Sequence, residues 1–205
     1  IDGKVALKNG NSKWISNVES RKNSHHLRSQ VKGILVGRAT AEEDNPSLTI
    51  RLTKKELNLS SSDAIEQPTK IILGNLKKSK KVNKIFLNNS KVIIGSRLQV
   101  KKVNNIEYIK YEKKNFLKEF MYDLFQRNIS SILVEGGQKT LNTFIANNLF
   151  DELVLYTAPT FLGKESMSTI GIKAPKGMKN LKKLKMVRVE TFKDDIKTTY
   201  YNESI

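Results

Sequence analysis

The sequence has no cysteine and only two histidines, His25 and His26. The first absence removes disulfides, thiolate zinc sites and cysteine nucleophiles together. The second leaves little for a transition metal, because adjacent histidines on a helix point about 100° apart and cannot share one face. No metal site is expected. No stretch approaches the roughly 18 consecutive apolar residues of a membrane span, and the opening "IDGKVALKNG" lacks the apolar core of a signal peptide. A cytoplasmic protein without a membrane partner is the expectation. Acidic residues are the scarcer charge: 37 Lys+Arg against 20 Asp+Glu give a formal net charge of +17. Such an excess suits anionic partners, with nucleic acid and phosphorylated metabolites as the two obvious classes. The runs "NLKKSKKVNK" (75–84) and "LKKLKM" (181–186) also read as solvated surface.

What is present reads as one domain over 1–205, since this length buries one sizeable core. Ser16 three residues before Glu19 matches a capping box, placing a helix at about residues 17–30. "VKGILVG" (31–37), "KIILG" (70–74) and "KVIIGS" (91–96) are short aliphatic runs ending at or beside glycine, as buried strands do. "NFLKEFMYDLFQRN" (115–128) sets Phe116, Leu117, Phe120, Met121, Leu124 and Phe125 at helical spacing behind a capping Asn115, a core-facing stripe. The strand "SILVE", the helix "KTLNTFIANN" and the strand "ELVLYTAP" (152–159) follow at the spacing of a parallel crossover. "LKMVRVETF" and "IKTTYYN", separated by "KDD", read as a closing antiparallel hairpin. The fold class is α/β with a mostly parallel sheet.

Two constellations sit where such folds hold ligands. "VEGGQKT" runs a strand through Glu135 and two glycines into a helix start, where bare backbone approaches a phosphate and free N–H groups receive it. It has neither the GxGxxG spacing nor the full GxxxxGK[ST] pattern of the familiar phosphate loops, since Gln138 separates Gly137 from Lys139 and Thr140, and a plain strand-to-helix turn has the same composition. "VGRATAEEDNPSLTIR" (36–51) follows a strand with Thr40, an Asp44-Asn45-Pro46 turn and Arg51. Asp-Asn-Pro is a turn by local chemistry alone. Ser12, Trp14, Arg28 and Arg51 add a hydroxyl, an aromatic surface and two guanidinium forks.

Taken in order, "DGKVAL", "SKWIS", "HHLRSQVKGILVG", "DNPSLTIR", "ILVEGGQKTLNTFI" and "LFDELVLYTAPTFLG" resemble the reductase domain of the bifunctional riboflavin-biosynthesis deaminase-reductase. The resemblance implies a dihydrofolate-reductase-like, three-layer α/β/α fold and NADPH-dependent reduction of 5-amino-6-(5-phosphoribosylamino)uracil to its ribityl product. It assigns Ser12, Arg28, Leu48, Arg51 and Glu135 to the substrate. To the cofactor it assigns Trp14, Thr40, Asp44, Asn75 and the run Gly137, Gln138, Lys139, Thr140, Leu141, Asn142 and Thr143. Lys4, Asp44 and Glu135 are the ionisable candidates for the chemistry: Lys4 to polarise the opening sugar oxygen, Glu135 or Asp44 to move a proton or stabilise a cationic imine. His25 matches a family position and reads as packing or helix-surface support. A homodimer is implied, as is an upstream deaminase domain elsewhere in the family's polypeptide, whose Pro-Cys-x-x-Cys zinc motif is not in this sequence.

Three departures accompany the likeness. Ile1 falls inside the family's "SLDGK" motif, so a preceding strand is expected outside this sequence. Gly74 and Asn75 stand where an aspartate and a small or basic residue are usual, which bears on NADPH over NADH. Arg38 replaces a smaller residue and faces either a cofactor phosphate or solvent. The rivals are a reductase of the non-deaminated diaminopyrimidine, a binding-only relative, and a basic nucleic-acid module. The last is poorly served by aromatics that fall on core-like faces.

Overall fold

A computed structural model describes residues 1–76, 84–87, 90–97, 105–111 and 116–203. Two compact units divide the chain, one made of residues 1–23 and 138–205, the other of residues 24–137.

The 24–137 unit holds a five-stranded, all-parallel sheet. Its strands are β2 (Gly33–Gly37), β3 (Thr69–Leu73), β4 (Val92–Ser96), β5 (Ile106–Lys110) and β6 (Ile132–Val134), in the order β5-β4-β3-β2-β6. β2 and β4 are buried at every position, which requires cover on both faces, and this is why they read as continuous aliphatic runs. One face carries Ile34, Val36, Ile72, Val92 and Ile94, packed with Ala41, Leu48 and Ile85. On the other, the Phe120 ring lies so close to Gly95 that an added Cβ would meet it at 2.9 Å. Lys70 is fully buried and donates to the carbonyls of Ile85 (2.8 Å) and Leu87 (3.2 Å). Burial pulls its pKa below the ordinary lysine value.

Among the described residues two α-helices lie wholly within this unit, and one was not expected. α2 (Arg38–Asp44) directly follows β2, with Asn45 (φ 43°) as its left-handed C-cap and Pro46 beyond it, so the Asp-Asn-Pro turn is a helix stop. α3 (Phe116–Gln126) buries Leu117, Phe120 and Leu124 as its spacing predicts, but Phe125 is 60% exposed. One residue past Leu124 lies about 100° around the helix, off the core face. The predicted cap Asn115 and most of the 75–84 lysine run lie outside the described residues.

α1 (Val18–Ser29) contributes to both units. Its cap is Asn17 rather than Ser16: Asn17 Oδ1 accepts the Ser20 N–H at 3.0 Å. The reciprocal role expected of Glu19 belongs to Asp195, whose Oδ2 takes the Asn17 N–H (2.8 Å) and the Ser20 hydroxyl (2.7 Å). A carboxylate at a helix start is favoured by the free N–H groups there.

The other unit contains β1 (Lys4–Ala6) paired antiparallel with β8 (Met167–Ser168), and α4 (Gln138–Ala146). β7 (Glu152–Thr157), β9 (Leu184–Phe192) and β10 (Asp195–Asn202) form an antiparallel sheet in the order β7-β10-β9. The hairpin turns at Lys193 (φ 53°) and Asp194, as expected of "KDD". The predicted parallel crossover is not formed: β6 pairs with β2, and β7 pairs antiparallel with β10. Spacing shows only that two strands flank a helix, whereas the pairing partner is chosen by the whole chain. Among the described residues no helix is long and apolar enough to cross a membrane.

Candidate active site

The strand order locates a reversal point in the parallel sheet. The chain moves outward from β2 to β5 and then returns to lay β6 on the other side of β2. Crevices beyond the carboxyl ends of parallel strands at such a reversal are where ligands bind. Here the ends of β2 and β6 are tied together: the Thr40 hydroxyl, on α2, accepts the Gly137 N–H at 3.1 Å. Gly137 is exposed, and a Cβ built on it would meet only Thr40 Oγ1, at 3.6 Å. The backbone is therefore bare where the chain enters α4.

Glu135, the first residue past β6, is held from two directions. Its N–H donates to the Leu35 carbonyl at 2.8 Å. Its carboxylate receives the Arg28 fork, with Nε to Oε1 and Nη2 to Oε2 both at 2.7 Å. The two side chains are 13% and 27% exposed, so the pair is partly desolvated. Arg28 Nη1 donates onward to the Thr49 carbonyl at 2.8 Å.

That contact belongs to a second support system. Leu48 is buried and held at φ 49°, a left-handed conformation that costs a branched residue on the order of 1 kcal/mol or more. Side chains fix the segment that follows. Gln67 accepts the Ile50 N–H at 2.8 Å and donates to its carbonyl at 3.4 Å, taking the part of a neighbouring strand. The main-chain N–H of Arg51 lies 3.2 Å from His25 Nδ1, and Arg51 Nε lies 3.2 Å from His25 Nε2. A neutral imidazole accepts on one nitrogen at a time, so the ring serves one of these donors in each tautomer. Burial, then the charges of Arg28 and Arg51, hold the His25 pKa down to about 4, against smaller opposing effects of Glu135 and the Thr49 carbonyl. His25 is expected from the sequence only as packing or helix-surface support; its position three residues before Arg28, on the same helical face, is the available signal.

Farther along the sheet edge, Asn75 Oδ1 accepts the Ser96 hydroxyl (2.7 Å) and the Arg97 N–H (2.9 Å), joining the ends of β3 and β4. Gly74 lies at φ 115°, and a Cβ there would stand 3.2 Å from that of Arg38. Asp44 is exposed at the end of α2. The 24–137 unit thus brings Arg28, Thr40, Leu48, Arg51, Asn75, Glu135 and Gly137 to one edge or its supports.

The remaining residues lie in the other unit. Lys4 Nζ donates to Ser168 Oγ at 3.1 Å and to the Lys164 carbonyl at 3.4 Å. Ser12 is exposed, and Trp14, 73% exposed, lies under the Arg21 guanidinium at 4.3 Å. Gln138, Lys139, Thr140, Leu141, Asn142 and Thr143 form the first turns of α4, whose leading N–H groups have no partner within the helix. Asn142 Oδ1 accepts the Gly171 N–H at 2.9 Å. Among the described residues no cluster of three or more metal-ligating side chains occurs.

The model of the RibD C-terminal domain family matches residues 1–198. The chain is 30% identical over 206 residues to the riboflavin biosynthesis protein RibD of Haemophilus influenzae, covering 98% of this chain and 55% of that protein. It is 28% identical over 169 residues to the 5-amino-6-(5-phosphoribosylamino)uracil reductase of Buchnera aphidicola subsp. Acyrthosiphon pisum, covering 78% and 81%. Among solved structures, a deaminase/5-amino-6-(5-phosphoribosylamino)uracil reductase of Thermotoga maritima superposes with a TM-score of 0.79 at 26% identity, over 98% of this chain and 53% of that one. The chain spans about half the length of the Haemophilus and Thermotoga proteins.

Proposed function

Because the chain belongs to the RibD C-terminal domain family, we propose that it is a reductase domain that converts 5-amino-6-(5-phosphoribosylamino)uracil to the phosphoribityl product with NADPH. The observation that carries this reading is the edge at the β2/β6 reversal, where the Thr40–Gly137 bond and the Arg28–Glu135 pair both lie at the carboxyl ends of these strands. The proposal treats residues 1–205 as one reductase domain, since the family match runs across both compact units.

The residues present suit a nicotinamide dinucleotide. Gly137 leaves backbone bare for a pyrophosphate, Thr40 lines the same junction, and the start of α4 offers N–H donors from Gln138 to Thr140. When bound, the cofactor supplies the hydride. The chain's own residues do the rest. Glu135 keeps lone pairs beyond those used by Arg28 and can accept from a ribose hydroxyl or the glycosylamine N–H. Opening the sugar breaks its C1–O bond and needs a proton on the departing ring oxygen; Lys4 is proposed to polarise that oxygen, and Glu135 or Asp44 to move the proton or balance the cationic imine at C1. Arg51 faces the substrate phosphate, while Ser12 and Leu48 bound the substrate and Trp14 and Asn75 the cofactor. A homodimer, a cytoplasmic location and an upstream deaminase domain belong to the same reading.

The test is oxidation of NADPH, followed by its absorbance, with freshly generated substrate. Turnover of the deaminated compound ahead of the diaminopyrimidine supports the proposal, and the reverse preference sinks its substrate. Single-turnover rates of Lys4→Ala, Asp44→Ala and Glu135→Ala at saturating ligand sort the roles; a wild-type rate removes that residue from the chemistry. Running the assay with NADH tests the cofactor preference that Gly74 and Asn75 bring into question.

A further inference from the structure

The two arginines assigned to the substrate are not equivalent. Arg28 has three of its five N–H donors committed, two to Glu135 and one to the Thr49 carbonyl. Arg51 is exposed, and among the described residues its only side-chain hydrogen bond is from Nε to His25 Nε2. Its two Nη groups have no such partner there. His25 is 8% exposed and sits on α1 one turn before Arg28, so its ring is held while the guanidinium beside it reaches solvent.

We propose that His25 is a positioning residue that aims Arg51 as the phosphate-binding fork of the site, leaving Arg28 to hold Glu135. The inference rests on the reading of Arg51 as a substrate residue. An exposed arginine on an irregular segment ordinarily loses much rotamer freedom when it binds. In the tautomer that carries its proton on Nδ1, the imidazole accepts from Nε, the inner edge of the guanidinium, and leaves the outer edge to grip a phosphate in two-pronged fashion. Only an acceptor can do this, so the ring must be neutral. The groups facing it are Arg28 on its own helix, Arg51, Glu135 beyond β6 and the Thr49 carbonyl. The two guanidinium charges oppose protonation, so each cation helps to keep its neighbour's support in the accepting state.

The direct test is the ¹⁵N Nε–H resonance of Arg51, identified by its loss in Arg51→Lys. In the unsubstituted chain it should stay constant from about pH 8 to about pH 5, and it should move in His25→Phe. A signal that titrates near the ordinary histidine value, or one that ignores His25→Phe, overturns the proposal whether or not the chain turns over. In kinetics, His25→Phe should raise KM for the phosphorylated substrate about tenfold, the usual scale of one charge-assisted hydrogen bond, with kcat within about twofold. KM for the dephosphorylated substrate should not change. His25→Asn, which keeps an acceptor, should recover part of the loss, and His25→Phe should add nothing in an Arg51→Ala background. An equal rise for both substrates would mark a merely structural role and overturn the proposal. If the unsubstituted chain reduces neither substrate, the functional reading fails, and the Arg51 resonance still decides the part played by His25.

Discussion

Arg28 and Glu135, 107 residues apart in the chain, meet through two parallel hydrogen bonds of 2.7 Å, so that a helix and a strand end share one charge pair. With side chains 13% and 27% exposed, the pair lies between a surface ion pair, worth about 0–1 kcal/mol, and a buried one, whose breakage costs about 3–5 kcal/mol. Glu135→Gln should therefore lower stability by roughly 1–3 kcal/mol. Arg28→Lys should fall in the same direction, because an ammonium cannot reproduce the fork. Urea midpoints measure both, and a wild-type midpoint for Glu135→Gln would show that the pair has no structural weight.

Thr40 joins the ends of β2 and β6 by accepting the Gly137 N–H. Thr40→Val keeps the shape and removes the acceptor, leaving that junction free to move. KM for the reduced nicotinamide cofactor should rise about three- to tenfold, the scale of one hydrogen bond, and Thr40→Ser should restore much of it. Equal KM values for Val and wild type would separate this bond from cofactor binding.

His25 predicts an acid-side loss of stability. Its folded pKa is depressed, from an ordinary 6.5 to about 4. Above about pH 6.5 the ring is neutral in folded and unfolded chains alike, and its contribution is intact. As pH falls toward 4 the unfolded chain takes up a proton that the folded chain resists, so stability declines across that window. The full difference is on the order of 3 kcal/mol. Denaturant midpoints between pH 7 and pH 4 should drop less steeply for His25→Asn than for wild type; parallel curves would count against it.

Gly95 tests the packing behind the site. A methyl group there would stand 2.9 Å from the Phe120 ring, inside the contact distance. Gly95→Ala should cost about 1–3 kcal/mol through displaced α3 packing. Gly95→Ala combined with Phe120→Leu should recover part of it. An unchanged melting temperature for Gly95→Ala would mean that α3 shifts without strain.

Local signals made much of this architecture legible. β2, β3 and β4 are contiguous aliphatic runs because both faces of a parallel sheet are covered, and that burial is written into each strand separately. The same holds for Leu117, Phe120 and Leu124 on α3 and for the closing hairpin. Glu135 and Gly137 stood out because a carboxylate and bare backbone follow an apolar strand at the place where such folds hold ligands, although a plain strand-to-helix turn has the same composition. α2 was less visible, since its seven residues are too few to show a helical period beside a strong turn signal.

Amino-acid order by itself determined most of the segments that become strands and helices, α2 excepted, and which chemical groups stand at their ends, because propensity and burial patterns act over a few residues. Tertiary structure alone decided who pairs with whom. It gave the cap of α1 to Asp195 rather than Glu19, turned β7 toward β10, set Arg28 on Glu135 and left Arg51 to His25. The physical reason is that a hydrogen bond or ion pair is selected by ångström-scale distance and orientation, and between residues a hundred positions apart only the folded chain sets those.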